Sequence, residues 1–265
     1  MMPIVEIGSD AEIVGRRVGA RIAALIRRKP DAVIGVATGS SPEPVYRALA
    51  REVADGLDAT SVRWFALDEY IGLPAGHPQS YRRVLERVLL EPLHLPGSSV
   101  QVPDGAAADP DAAAESYEAA LAAAGVDVQI LGIGVNGHIG FNEPGTPFSS
   151  TTHRAALTES TRCANSRFFP SADAVPAECL TQGLATIMRA DRIELVATGR
   201  HKAAAVAQAL RGPVTEDCPA SILQRHPRVR VNLDAAAATR IAWFSTGDTA
   251  RTSLDHRDAC LPGGA

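Results

Sequence analysis

VQILGI, residues 128–133, runs directly into GVNGHIGFNEPG, residues 134–145, and this stretch decides how the fold is interpreted. Its first six residues form a short, mainly apolar run, which is typical of a strand buried on both faces of a sheet. The next twelve contain four glycines, two asparagines, His138 and Glu143. A surface loop would explain the glycines, but not a histidine and a glutamate beside a buried strand. The stretch therefore predicts a sheet with a functional loop at the end of one strand.

Similar apolar runs recur along the chain and alternate with segments of helical periodicity. In the first such segment Val14, Val18, Ile22 and Ile26 share one helix face, preceded by the N-cap candidates at residues 9–10. Strands are predicted at residues 3–7, 32–37, 62–67, 126–133, 193–198, 229–233 and 241–244. Later helices are predicted to begin near residue 42 or 44 and to cover residues 81–90, 109–124 and 200–210.

Continuous apolar strands separated by helices indicate a mostly parallel sheet with helices on both faces. We predict one α/β domain over residues 1–265, Rossmann-like and doubly wound. Residues 145–180 have a less regular pattern, and the last dozen residues, ending LPGGA, are expected to fray.

The composition narrows the classes of partner. A formal net charge of −4 and a pI near 6.0 do not favour nucleic acid, which usually binds a basic face. The four cysteines have no CxxC spacing, which argues against a zinc site. The N-terminus lacks the layout of a signal peptide, and no apolar run is long enough for a membrane span. We therefore expect a cytoplasmic protein without a membrane partner.

Candidate functional residues follow four of the predicted strands. In open α/β sheets, ligands bind outside the carboxyl ends of the strands. The residues that follow those ends are Thr38, Gly39 and Ser40, then Asp68 and Glu69, then Asn136 and His138, then Lys202. Their expected convergence at one edge of the sheet is stronger evidence for a functional site than any single motif. The first group, small residues before a helix, suits an anion, although a plain tight turn between strand and helix explains this segment equally well. The P-loop and dinucleotide patterns are absent, so a sugar phosphate fits better than a nucleotide.

Each acid–base candidate has a structural alternative. Asp68 and Glu69 point to opposite faces if extended, so only one faces a given site, and an isolated pair is more often a helix cap or surface acid. Asp68, at the strand end, is placed to move a proton between adjacent carbons. His138 has glycines on both sides that leave the imidazole reachable, and Glu143 can orient it. Because no second histidine has ligand spacing, we expect no metal site.

Two cations are candidates for holding a phosphate. Arg167 offers a planar, bidentate guanidinium, and Lys202 a point charge near a helix start. Each alone would more often be a solvated surface residue.

Together these stretches resemble the glucosamine-6-phosphate deaminase family. The resemblance covers roughly residues 30–238 and is carried by TGSSPEPVYRAL, ALDEYIGLP, LGIGVNGHIGFNEPG, ANSRFF and GRHKAAAV. It implies an aldose–ketose isomerisation without metal or other cofactor, coupled to loss of ammonia, from glucosamine 6-phosphate to fructose 6-phosphate.

The resemblance also implies a role for each candidate. His138, with Glu143 and Asn136, would open the sugar ring, and Asp68 would move the proton from C2 to C1. Thr38, Gly39, Ser40, Arg167 and Lys202 would hold the phosphate, and residues 150–180 would form a mobile lid.

Two departures from the family pattern bear on these roles. Some members have an aspartate where this chain has Asn136, so we assign the amide only an orienting role. Residues 239–265 do not resemble the C-terminal segment of members regulated by N-acetylglucosamine 6-phosphate.

Several alternatives stay open. The substrate could be galactosamine 6-phosphate, or the enzyme a 6-phosphogluconolactonase. A non-catalytic sugar-phosphate sensor would need a DNA-binding segment, for which the strand-first N-terminus leaves no room. The chain could be a monomer or a homo-oligomer.

Overall fold

The computed structural model describes residues 3–74 and 76–241. Its strands are β1 Ile4–Gly8, β2 Val33–Val36, β3 Arg63–Ala66, β4 Asp68–Tyr70, β5 Val100–Gln101, β6 Val128–Leu131, β7 His153–Ala156, β8 Glu178–Thr181, β9 Ile193–Ala197 and β10 Val229–Asp234. Its α-helices are α1 Ala11–Arg28, α2 Glu43–Ala54, α3 Tyr81–Leu85, α4 Pro110–Ala124, α5 Glu159–Asn165, α6 Leu184–Ile187 and α7 Ala203–Arg211. A π-helical turn, Glu86–Leu90, continues α3.

A central sheet of seven described strands organises the molecule, in the order β1-β10-β9-β6-β2-β3-β5. Neighbouring strands of this sheet pair in parallel. Parallel strands place all their carboxyl ends at one edge, so the loops after β2, β3, β6 and β9 meet there. This confirms the predicted mostly parallel α/β sheet.

Helices cover both faces of the central sheet. On β2, Ile34 and Val36 pack in one apolar cluster with residues of α1 and α2, whereas Val33 packs in another with Tyr117 and Leu121 of α4. Because successive strand residues point to opposite faces, α1 and α2 lie on one face and α4 on the other. The α7 residue Val206 joins a third cluster with further strand residues. The doubly wound prediction is confirmed.

The N-cap and the buried face of α1 are those that its sequence predicts. The side chain of Asp10 accepts a hydrogen bond from the Ile13 amide and so caps the helix. Val14, Val18, Ile22 and Ile26 are all buried, as their spacing predicts. Within the described ranges, no helix is long and apolar enough to cross a membrane.

A second sheet, β4-β8-β7, is antiparallel and was not predicted. The sequence places residues 68–70 directly after the end of a predicted strand, and it predicts a less regular structure for residues 145–180. Residues 68–70 form β4, and the less regular region contains β7 and most of β8. These short strands lack a long apolar run; in β7, half-buried and exposed residues alternate. The two-residue β5 was missed for the same reason.

Some predicted boundaries were also too wide. The strand predicted at 126–133 is limited to Val128–Leu131, after which the chain turns into the glycine-rich loop. The strand predicted at 241–244, from its second residue onward, and the predicted frayed tail lie outside the described residues.

Candidate active site

One cavity of about 290 Å³ lies at the carboxyl ends of the central strands. Most of the predicted site residues line it together: Thr38, Gly39, Ser40, Asp68, Asn136, His138, Arg167 and Lys202. Glu143 is buried beside His138 rather than in the cavity wall. The volume is that of a small-metabolite site. The four strand ends therefore converge as expected.

In the loop after β6, the His138 ring packs closely against the backbone of Gly134. The Gly134 amide donates a hydrogen bond to the His138 carbonyl at 2.8 Å. A Cβ at Gly134 would lie 2.3 Å from Cε1 of His138 and 2.4 Å from both ring nitrogens. Gly137 has a φ of +88°, a conformation that favours glycine. Gly134 thus leaves space for the imidazole ring, and Gly137 allows the turn of the backbone. The sequence alone predicts only that the glycines leave the ring accessible.

Glu143 forms a compact polar group with Asn136 and His138. Nδ2 of Asn136 donates to Oε2 of Glu143 at 2.6 Å, and the His138 amide donates to Oδ1 of Asn136 at 3.2 Å. Nδ1 of His138 lies 3.5 Å from Oε2 of Glu143 and has no hydrogen-bond partner in the described structure. That distance is long for a hydrogen bond, so we regard the pair as an electrostatic contact.

The carboxylate form of Glu143 is favoured at this position. Burial raises the pKa of Glu143, but His138, Thr161 and Asn136 together outweigh burial and lower the pKa to about 2. A carboxylate that stays charged beside Nδ1 can orient the ring.

Asp68 and Glu69 have different surroundings, which separates their functions. Glu69 accepts hydrogen bonds from the amides of Tyr70, Tyr81 and Arg82 at 2.8, 2.9 and 3.0 Å. It therefore caps the start of α3, the structural alternative considered for the pair. Asp68 is buried against the cavity, where burial, and then the charge of Glu69, raises its pKa to about 8. A carboxyl group that titrates near neutrality can both take and return a proton.

The loop between β2 and α2 is anchored at the end of the strand and runs along the cavity. Tyr46 of α2 fixes the end of the strand, because its hydroxyl donates to the Ala37 carbonyl at 2.6 Å and accepts from the Ala37 amide at 3.1 Å. Gly39, with a φ of +89°, then turns the chain along the cavity. This places the small residues 38–40 just before the helix N-terminus, where backbone amides and the helix dipole favour an anion.

Arg167 and Lys202 line the same cavity, together with Arg87 of the π-helical turn. Lys202 lies immediately before α7, and burial together with the charge of Arg167 lowers its pKa to about 8. Arg167 lies in the short turn Ser166–Phe168 that follows α5, with its guanidinium 4.7 Å from the centre of the Phe168 ring. Two neighbouring cations at a cavity are stabilised by a bound anion.

Other residues of the site were not found from the sequence. Thr158 and Thr161 donate hydrogen bonds to Oε1 of Glu143. Asn165 donates to the Tyr70 hydroxyl at 2.9 Å, and His201 also lines the cavity. Thr158 followed by Glu159 is a typical start signal for a helix, but it lies in the region that the sequence pattern predicts to be irregular.

The chain matches known proteins over most of its length. The family described as glucosamine-6-phosphate isomerases/6-phosphogluconolactonase matches residues 10–231. The glucosamine-6-phosphate deaminase of Pseudarthrobacter chlorophenolicus is 52% identical over 241 residues, covering 91% of this chain and 93% of the relative. That of Streptomyces coelicolor is 51% identical over 235 residues, covering 88% and 90%.

Solved structures agree with the sequence matches. A monomeric glucosamine-6-phosphate deaminase has a TM-score of 0.87 at 41% identity, covering 89% of this chain and 99% of its own. A 6-phosphogluconolactonase from Trypanosoma brucei has a TM-score of 0.73 at 23% identity, covering 89% and 97%, and shares the fold. From the family match over residues 10–231 and these close relatives, this chain belongs to the glucosamine-6-phosphate isomerase and 6-phosphogluconolactonase family.

Proposed function

We propose that this protein is a glucosamine-6-phosphate deaminase, which converts glucosamine 6-phosphate and water to fructose 6-phosphate and ammonia. One observation carries the proposal: three kinds of group meet at one cavity. Asp68, whose pKa is raised to about 8, lines the cavity. The wall also contains His138, with Glu143 beside it, and the cations Arg167 and Lys202. Proton transfer between carbons needs the first group, ring opening needs the second, and a phosphate needs the cations. The relatives at about 50% identity that bear this name support the same activity.

Ring opening is assigned to His138. Its imidazole moves a proton between the anomeric hydroxyl and the ring oxygen. Glu143, 3.5 Å from Nδ1, stabilises the imidazole while it is protonated. Asn136 orients the glutamate by donating to Oε2, which is consistent with the orienting role expected for an amide.

The carbon-to-carbon transfer is assigned to Asp68. Its carboxylate takes the proton from C2 of the open-chain aldehyde, and O1 gains the proton that the substrate's ammonium group gives up, which yields an enolamine with a neutral amino group. The resulting carboxylic acid then returns its proton to C1. The product is an imine at C2, which water hydrolyses to the ketose with release of ammonia. The cationic amino group of the substrate next to Asp68 would lower its pKa from about 8, so that binding favours the reactive carboxylate.

Phosphate binding is assigned to Thr38, Gly39 and Ser40 with Arg167 and Lys202. The loop presents amides and a hydroxyl at the start of α2, and the two cations supply the charge. A dianion between Arg167 and Lys202 would relieve their repulsion and return the pKa of Lys202 toward its usual value.

We further propose that residues 150–180 act as a lid within one functional domain. Arg167 belongs to this segment and lines the cavity, so a bound phosphate would hold the segment closed. The related solved enzyme is described as monomeric, which supports a monomer here. The proposed partner is a small amino-sugar phosphate, and the proposed location is the cytoplasm, without a nucleic-acid or membrane partner.

The decisive assay is ammonia release from glucosamine 6-phosphate without added metal. We expect release with this substrate and less with galactosamine 6-phosphate. Asp68→Asn serves as the control for contaminating deaminase, because it should remove turnover. Absence of ammonia together with hydrolysis of 6-phosphogluconolactone would contradict the proposed function.

A further inference from the structure

The Glu143 carboxylate is held from two sides by different parts of the chain. On the loop side, Asn136 donates to Oε2 at 2.6 Å. On the other side, Oε1 accepts from the Thr158 hydroxyl at 3.2 Å and, more closely, from the Thr161 hydroxyl. The position of this carboxylate therefore depends on α5 as much as on the histidine loop.

The start of α5 fixes the two threonines. Thr158 is its N-cap, and its hydroxyl accepts from the Thr161 amide at 3.2 Å. Thr161 is buried, with 5% of its surface exposed, so water does not readily replace its hydroxyl. A hydroxyl held by a helix turn is a preorganised donor, and a bond to a charged acceptor is stronger than one between neutral groups.

We propose that Thr161 is a positioning residue that holds the Glu143 carboxylate where it orients the His138 imidazole. The proposal deepens the proposed function, since it rests on ring opening by His138. Oε1 is anchored to α5 by Thr161, which leaves Oε2 facing both Asn136 and Nδ1 of His138.

The same helix links this contact to the phosphate. The turn Ser166–Phe168, directly after α5, brings Arg167 to the cavity. A phosphate that binds Arg167 therefore also stabilises the helix position in which Thr161 contacts Glu143. Phosphate binding by Arg167 and alignment of the His138–Glu143 pair are thereby coupled.

Three variants test this by kinetics. Thr161→Val removes the hydroxyl at nearly constant shape, and Thr161→Ser restores it. Ser166→Ala is the matched control, because its hydroxyl is on the same segment but donates to the Cys163 carbonyl at 2.7 Å instead of Glu143. We expect kcat of the valine variant to fall about 10- to 100-fold, the size of losing a hydrogen bond to a charged group, with KM nearly unchanged. The serine variant should recover most of the loss, and the control should match wild type.

Two kinetic outcomes would overturn the proposal. One is a valine variant with wild-type kcat. The other is a serine variant as slow as the valine variant, which would show that the methyl group rather than the hydroxyl matters.

A second measurement does not need activity. The ¹⁵N resonances of the His138 ring, assigned by their loss in His138→Gln, are recorded in the free wild-type, valine and serine proteins. A changed resonance in the valine variant that the serine variant restores supports the proposal, and identical resonances in all three refute it. If wild type releases no ammonia, the deaminase function fails while this measurement still decides the role of Thr161.

Discussion

Gly134→Ala should inactivate the enzyme by moving one ring. The added Cβ would lie 2.3 Å from Cε1 of His138 and 2.4 Å from its two nitrogens. Non-bonded carbon atoms prefer about 3.5 Å, so the imidazole has to move by about 1 Å. The contact that restrains the ring directly is the one between Nδ1 and Oε2 of Glu143 at 3.5 Å, which the movement changes.

The size of the effect follows from that displacement. Misplacing a catalytic group by about 1 Å costs on the order of 100-fold in rate, so kcat should fall about 100-fold. KM should change much less, because the atoms nearest to a Cβ at position 134 belong to His138 and not to the proposed phosphate-binding residues Arg167 and Lys202. Overpacking costs about 1–3 kcal/mol of unfolding free energy, which lowers the melting temperature by several degrees without preventing folding.

The assay is ammonia release under steady-state conditions, with melting curves of the same samples. Gly97→Ala is the control, since its Cβ would meet only the flexible carboxylate of Glu86 at 3.2 Å, away from the cavity. We expect the control to keep wild-type kcat. A folded Gly134→Ala enzyme with kcat within about twofold of wild type would refute the idea that the His138 position limits the rate.

Three further predictions concern other groups. Asp68→Asn should lose about 10²- to 10⁴-fold in kcat and keep its substrate binding. Because burial raises the Asp68 pKa to about 8, the stability of the wild type should fall as pH rises from about 4 to 8, and the melting temperature of the variant should rise relative to wild type over that range. A difference in melting temperature that stays constant with pH would contradict this. The KM of the wild type for the sugar phosphate should increase above about pH 8, where Lys202 loses its proton, whereas Lys202→Met should have a high KM at every pH. A wild-type KM that stays constant up to about pH 10 would exclude Lys202 from phosphate binding. Arg21→Met should lower the unfolding free energy by about 1.5–3 kcal/mol in denaturant titrations with little change in kcat, because the buried Glu194 carboxylate loses the guanidinium that contacts it at 2.9 Å and keeps only Asn232 as a side-chain donor. Wild-type stability of the variant would show that Asn232 is a sufficient partner for Glu194.

The central sheet was predictable because its inner strands are buried on both faces. Every residue of β2, β6 and β9 is buried, and such strands appear in a sequence as apolar runs. The second sheet gives no such run, since β4 is the tripeptide DEY and β7 contains two exposed residues. These strands owe their existence to pairing with distant segments, and a local pattern does not report that pairing.

The site was predictable where its residues follow buried strands, and not where they come from elsewhere. His138, Asp68 and Lys202 each lie at or shortly after a strand end, so the topology alone brings them together. The position of Asp68 at a strand end favours it over Glu69 already in the sequence. The capping role of Glu69 could not be predicted, because it depends on amides of α3 that lie 12 and 13 residues farther along the chain. Thr161 contacts Glu143 across 18 residues, through a helix in a region without clear periodicity.

The amide at position 136 has a physical explanation in the charge of Glu143. Nδ2 of Asn136 lies 2.6 Å from Oε2, so it neutralises part of that charge by donation and favours the ionised form. A carboxylate at this distance would instead repel Glu143, and one of the two acids would have to keep a proton near neutral pH. With Asn136, Glu143 alone carries the negative charge beside Nδ1 of His138, and its pKa of about 2 keeps that charge constant over the working range. The His–Glu pair then needs no second carboxylate to support the imidazole, which is why an asparagine is compatible with the proposed ring opening.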